Sequence, residues 1–105
     1  MNKKNAISAI SEIEKLMQEG GRVNDPVKRE IQSLIFKLRS VPEFLALNHE
    51  DLVRIDGWVD ILFSTRKFEK WGGSEQVMQS IRGSCSSLRS SVERVWKNEI
   101  SNDGA

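Results

Sequence analysis

Few side chains in this sequence have the types and spacing that chemistry requires. There is one histidine, His49, and one cysteine, Cys85, so one chain cannot form a zinc site of the usual cysteine and histidine kind. Asp56 and Asp60 are one helical turn apart and could hold a cation together. Ser64 stands at the next turn, however, where a further oxygen ligand would be needed. The sequence therefore predicts no metal site and no cofactor.

The motifs of common enzymes are also missing. The glycine pairs at 20–21 and 72–73 lack the Lys-Ser/Thr that completes a phosphate-binding loop, and no Gly-x-Ser-x-Gly turn is present. His49 stands beside Glu50 and Asp51 at an expected helix start, where no partner for general base catalysis can be identified. We therefore predict no catalytic residues and a protein that is not an enzyme.

Apolar residues at spacings of three and four predict two helices in the first half of the chain. The first ends at the glycine pair 20–21. The second is capped by Asn24 or Asp25, has Pro26 in its first turn and ends before Pro42. The apolar face of the first helix is Ala6, Ile10, Ile13 and Met17; that of the second is Val27, Ile31, Leu34, Ile35 and Leu38.

Two further helices are predicted after a short apolar link at 44–47. Asn48 is expected to cap the third helix, which runs to about Trp71, and Ser74 to cap the fourth. Cys85 falls on the apolar face of the fourth helix, where a cysteine acts as a small hydrophobic residue. The apolar faces are Leu52, Ile55, Val59 and Leu62, then Met78, Ile81, Cys85, Leu88, Val92, Val95 and Trp96. The pattern predicts an all-α protein, a small four-helix bundle with short connections.

Composition limits the organisation of the chain. Its 105 residues are 38% hydrophobic and 30% charged, with a formal net charge of +1, as expected of a single folded domain. We predict one helical domain over residues 1–105, with 1–4 and 101–105 as frayed tails. No apolar run approaches the ~18 residues that span a bilayer, and one cysteine is typical of a reducing compartment. A cytoplasmic protein without membrane contact is expected.

Apolar residues outside the core-facing stripes indicate binding surfaces. Phe36 lies opposite the apolar face of the second helix, with Arg29 on the same side. The third helix has a second apolar strip, which either is covered within the domain or faces another chain, as a self-association or partner surface. That strip consists of Val53, Gly57, Ile61, Ser64, Phe68 and Trp71.

These residues favour a non-enzymatic protein-binding module that acts as an adaptor, regulator or inhibitor of a larger protein or complex. Aromatic and arginine side chains are enriched at the energetic centres of protein interfaces. The expected partner is another protein, and a second copy of this chain is one alternative. The predicted partner-binding residues are Phe36, Arg29, Ile61, Phe68 and Trp71.

The alternative function is a nucleic-acid-binding regulator that uses the basic faces of the second and fourth helices. Phosphate binding needs basic side chains without acidic interruption. Here Glu30, Glu69 and Glu93 are interspersed, and the isoelectric point is about 7.9. The expected nucleic-acid contacts are Lys28, Arg29, Arg82, Arg89, Arg94 and Lys97.

Overall fold

Four helices account for the regular structure of the computed structural model, which describes residues 1–20, 23–63 and 74–97. They are α1 (Lys3–Met17), α2 (Asp25–Arg39), α3 (Pro42–Leu62) and α4 (Ser74–Val95). No strand is present among the described residues. The prediction of an all-α protein is confirmed. Within the same residues, no helix is both long and apolar enough to cross a membrane.

The helices form a closed ring in chain order. α1 packs against α2, α2 against α3, α3 against α4, and α4 closes back onto α1. Lys28 near the start of α2 hydrogen-bonds Asp60 near the end of α3, and Asn48 in α3 contacts Ser91 near the end of α4. Neighbouring helices are therefore antiparallel, and α2 and α4 lie at opposite corners. The prediction of a four-helix bundle is confirmed.

Local hydrogen bonds explain where α1 and α2 begin. The Oδ1 atom of Asn2 accepts a hydrogen bond from the Asn5 backbone N–H at 2.8 Å, so it satisfies a free donor of the first turn. Asn24 caps α2 in the same way through the N–H of Val27 at 3.4 Å, and Pro26 occupies the first turn. The predicted cap of the second helix is thus Asn24 rather than Asp25.

The N-terminal residues that were expected to fray provide the cap and first turn of α1. The helix begins at Lys3, whose ammonium group lies 2.7 Å from a carboxylate oxygen of Glu93 on α4. The indole N–H of Trp96 donates to the carbonyl of Met1 at 3.1 Å. Side-chain contacts with α4 therefore hold this end of α1. The expected tail at 101–105 lies outside the described residues.

α3 begins earlier than predicted. Residues 44–47 are helical rather than a link, because Pro42 suits the first turn of a helix and Phe44 is fully buried. Asn48 marks a kink, since its backbone angles (φ −126°, ψ 18°) are not helical. Its amide nitrogen donates to the Phe44 carbonyl at 3.0 Å. α3 ends at Leu62, and the predicted extension to Trp71 falls outside the described residues.

The core joins the apolar faces of all four helices. α4 contributes to it although serines and Gly83 are poor helix formers; its helical form depends on docking against α3 and α1. Leu34 and Met78, both predicted core residues, are half-buried. The largest fully buried side chains are Phe44, Phe63, Ile10, Ile13, Met17, Ile31, Leu38, Leu52, Ile55, Ile81, Leu88 and Val59.

Candidate partner-binding surface

Phe36 points away from the core, as its position on the helix predicted. Its exposed fraction is 71%, the highest among the large apolar residues that the structure describes. Ile31 and Leu38 are buried on the opposite face of α2 and fix the rotation of the helix. Arg29 lies two turns before Phe36 and is also exposed. The core of the bundle thus leaves both side chains free for contact.

A groove runs beside Phe36 between α1 and α2. Its volume is about 650 Å³, within the range of sites that accept small ligands or side chains. Ala9 and the half-buried Leu34 supply apolar walls, while Glu12 and Lys37 supply opposite charges. The full lining is Met1, Asn5, Ser8, Ala9, Glu12, Leu34, Phe36, Lys37 and Ser40.

The opposite side of Phe36 faces the strip on α3 that was predicted as a second apolar surface. Val53 is 53% exposed, and Gly57 is exposed with no atom within 4 Å of where a Cβ would lie. The Lys28–Asp60 hydrogen bond of 2.9 Å sets the register of α2 against α3. With a rise of about 1.5 Å per residue, Phe36 is level with Val53 to within about one helical turn.

This part of the molecule, made of Arg29, Phe36, Val53, Asp56 and Gly57, is called the α2–α3 face below. It brings two separately predicted surfaces together: the outer side of the second helix and part of the second strip of the third. Arg29 and Asp56 are exposed, and neither forms an ion pair within the described residues. The face therefore combines apolar groups with charges of both signs.

Charge is divided unevenly between the two helices. α3 contains five acidic residues and one basic residue, whereas α2 contains four basic residues and two acidic ones. The formal charge is thus −4 along α3 and +2 along α2, without counting His49. On the α2–α3 face itself, the exposed charges are Arg29 along the α2 edge and Asp56 along the α3 edge.

The other residues predicted to bind a partner are not part of this face. Ile61 is only 8% exposed, so little of its side chain is available to a partner. Ile61, Leu62 and Phe63 are consecutive and all buried, which shows that the end of α3 is enclosed on more than one side. Phe68 and Trp71 lie outside the described residues.

The predicted nucleic-acid contacts do not form one surface. Lys28 is paired with Asp60, and the Arg89 guanidinium lies 3.2 and 3.3 Å from the two carboxylate oxygens of Glu14. This hydrogen bonding raises the pKa of Arg89. α2 and α4 occupy opposite corners, so their basic side chains face different directions. The exposed members are Arg29 on α2, Arg82 and Arg94 on α4, and Lys97 just beyond it.

Cys85 and His49, the two side chains weighed for chemistry, lie in different environments. Cys85 is fully buried, and burial raises the pKa of its thiol to about 12, so the nucleophilic thiolate is disfavoured. His49 is exposed beside Glu50 and Asp51. Among residues 1–20, 23–63 and 74–97, no three histidine, cysteine or acidic side chains are grouped as metal ligands.

The groove and the charged edge were not predicted from sequence. The groove forms because Ala9 on α1 faces Leu34 on α2. To predict it, one must know how the two helices are rotated relative to each other, which the sequence of each helix does not show. The negative edge does have a sequence signal, because a charge count for each predicted helix identifies the third as the most acidic. Asp56 was considered there only as a metal ligand.

Comparison with known proteins identifies no relative of this chain. No known protein family, curated protein or solved structure gives a significant match to this chain. A functional assignment therefore depends on the surfaces described above.

Proposed function

We propose that this protein is a non-enzymatic protein-binding module, acting as an adaptor, regulator or inhibitor of a larger protein or complex. The observation that supports it is the 71% exposure of Phe36 beside Arg29 and next to an open groove. Aromatic and arginine residues are enriched at interface hot spots. Burial of a phenylalanine side chain by a partner contributes about 1.5–3 kcal/mol.

The groove offers a mechanism for such binding. An apolar side chain of the partner enters between Ala9 and Leu34, while Phe36 packs against the partner from the edge of the groove. Glu12 and Lys37 then orient the partner through charged hydrogen bonds, which add specificity. Bound in this way, the protein covers or bridges a surface of its partner and needs no chemical step.

The test compares two single variants of the full chain in affinity capture from native lysate, with and without nuclease treatment. Phe36→Ala is expected to leave the melting temperature nearly unchanged and to weaken capture by about 30-fold, the factor for a 2 kcal/mol hot spot. Val23→Ala is the matched control, because Val23 is also an exposed apolar residue (56%) but lies just before α2 begins, whereas Phe36 is near its end. This control variant should bind normally.

Two results would contradict the proposal. If Phe36→Ala destabilises the free protein by about 3 kcal/mol or more, the side chain belongs to the core. If capture disappears with nuclease treatment and falls steeply with added salt, the alternative of nucleic-acid binding is supported instead.

A further inference from the structure

We infer that the partner of the α2–α3 face is a second copy of this chain, in a dimer with two-fold symmetry. The inference rests on the proposed function, because it names the protein that contacts Phe36 and Arg29. In this dimer Phe36 makes its contact on the α2–α3 side, and the groove between α1 and α2 is not part of the interface. Two features support it: the charges exposed on α2 and α3, and the register between these two helices.

Charge selects one orientation of the two copies. In a two-fold dimer the same surface is used by both chains. An axis parallel to the helices places α2 of each copy over α3 of the other, so that the exposed Arg29 of one copy faces the exposed Asp56 of the other. An axis perpendicular to the helices would instead place α2 on α2 and α3 on α3. Like charges opposed in this way disfavour the second arrangement.

The register places complementary side chains opposite each other. Rotation about an axis parallel to the helices leaves each residue at its own height along the bundle. Phe36 is level with Val53 to within about one turn, so the ring of one copy meets Val53 of the other. Gly57 is one turn further along α3 and has open space above its Cα. That space accommodates part of the phenylalanine ring.

Arg29 and Asp56 supply a charge pair in the same arrangement. On α2, Arg29 is the residue after Lys28. Lys28 hydrogen-bonds Asp60, which lies one turn beyond Asp56 on α3. Both side chains are exposed, and a guanidinium can bind a carboxylate through two parallel hydrogen bonds. Two-fold symmetry repeats every contact, which gives two Phe36 anchors and two Arg29–Asp56 pairs in each dimer.

Sedimentation of the full chain, over about 1 to 100 µM, tests the dimer. The expected species at the upper end has a mass of about 24 kDa, twice the 12.0 kDa of the chain. Phe36→Ala should raise the dissociation constant by about 30-fold or more. Arg82→Asp is the matched control for charge reversal, because Arg82 is exposed on α4 at the opposite corner. It should leave the dissociation constant unchanged.

A mixing experiment tests the orientation. Arg29→Asp and Asp56→Arg each oppose like charges in their own dimers, so both variants are expected to be monomers. In an equal mixture, both pairs regain opposite charges, and a heterodimer should form. Circular dichroism melts of each variant confirm that it is folded before mixing.

The inference is refuted if the wild-type chain stays a monomer throughout this concentration range. It is also refuted if the wild type dimerises but the mixed variants do not, since the Arg29–Asp56 pairing would then be wrong. A wild-type monomer whose capture of a different protein still depends on Phe36 overturns the dimer and leaves the proposed function intact. If Phe36→Ala changes neither the dissociation constant of the dimer nor the capture of another protein, both the dimer and the proposed function are wrong.

Discussion

The buried contact between Asn48 and Ser91 fixes the kink of α3 against α4 and allows a quantitative test. The Ser91 hydroxyl donates to Oδ1 of Asn48 at 2.8 Å, at a site where Asn48 is only 1% exposed. Ser91→Ala leaves the buried Oδ1 of Asn48 without a hydrogen-bond donor, which lowers the free energy of unfolding by about 1–3 kcal/mol. Asn48→Ala should cost more, because the Phe44 carbonyl also loses its amide donor. The hydroxyl of Ser91 then keeps a second acceptor, the Ser87 carbonyl at 3.2 Å.

The assay is urea denaturation of both single variants and the double variant, followed by circular dichroism. The double variant should be more stable than the sum of the two single losses predicts, by about 1 kcal/mol. Ser90→Ala is the matched control, because it makes the same change in helix propensity at an exposed neighbouring position. The reasoning fails if Ser91→Ala behaves like Ser90→Ala, or if the losses in the double variant are simply additive.

Three further predictions concern packing and pH. Gly20→Ala should lower the free energy of unfolding by about 1–3 kcal/mol, because a Cβ there would lie 2.8 Å from Cβ of Leu62; thermal melts that show no loss would disprove this close approach. Gly83→Ala should raise the free energy of unfolding by about 0.5–1 kcal/mol, since nothing lies within 4 Å of the position that its Cβ would take. The pKa of Cys85 is about 12 against an ordinary 9.0, so above pH 9.0 the unfolded chain releases a proton that the folded chain retains. Stability should therefore fall with rising pH, by at most about 1.4 kcal/mol per unit; Cys85→Ala should remove this contribution in urea titrations on either side of that pH.

Periodicity alone located most of the fold. Residues such as Ile10, Ile31 and Leu88 were assigned to the core from their spacing, and the structure buries all three. The start of α3 was harder to predict. Pro42 and Asn48 are both residues that commonly begin a helix, and the sequence does not show which of them does so here. Burial of Phe44 against Trp96, with ring centroids 5.8 Å apart, makes the earlier start favourable. This contact joins α3 to a residue beyond α4, and helical periodicity carries no information about it.

The candidate surface was predictable only as separate parts. The outward position of Phe36 follows from about 100° of rotation per residue, and Arg29 shares its side for the same reason. Their relation to Val53 and Asp56 depends on which helices are neighbours and on their register. Both depend on contacts between residues far apart in sequence, such as Lys28 with Asp60. One exposed residue on each helix could be inferred, but not the face that they form together.

Closure of the ring by α4 determines when this protein can fold during its synthesis. The ribosome releases α1, α2 and α3 first, and their apolar side chains, Ile13 and Ile55 among them, lack the helix that completes their cover. The serine-rich α4 has little tendency to be helical by itself, so it folds on the surface that the nascent chain already presents. Native packing therefore has to wait until α4 has been synthesised. A ribosome stalled before Leu88 would hold a chain with exposed apolar surface, which is a substrate for chaperones and proteases.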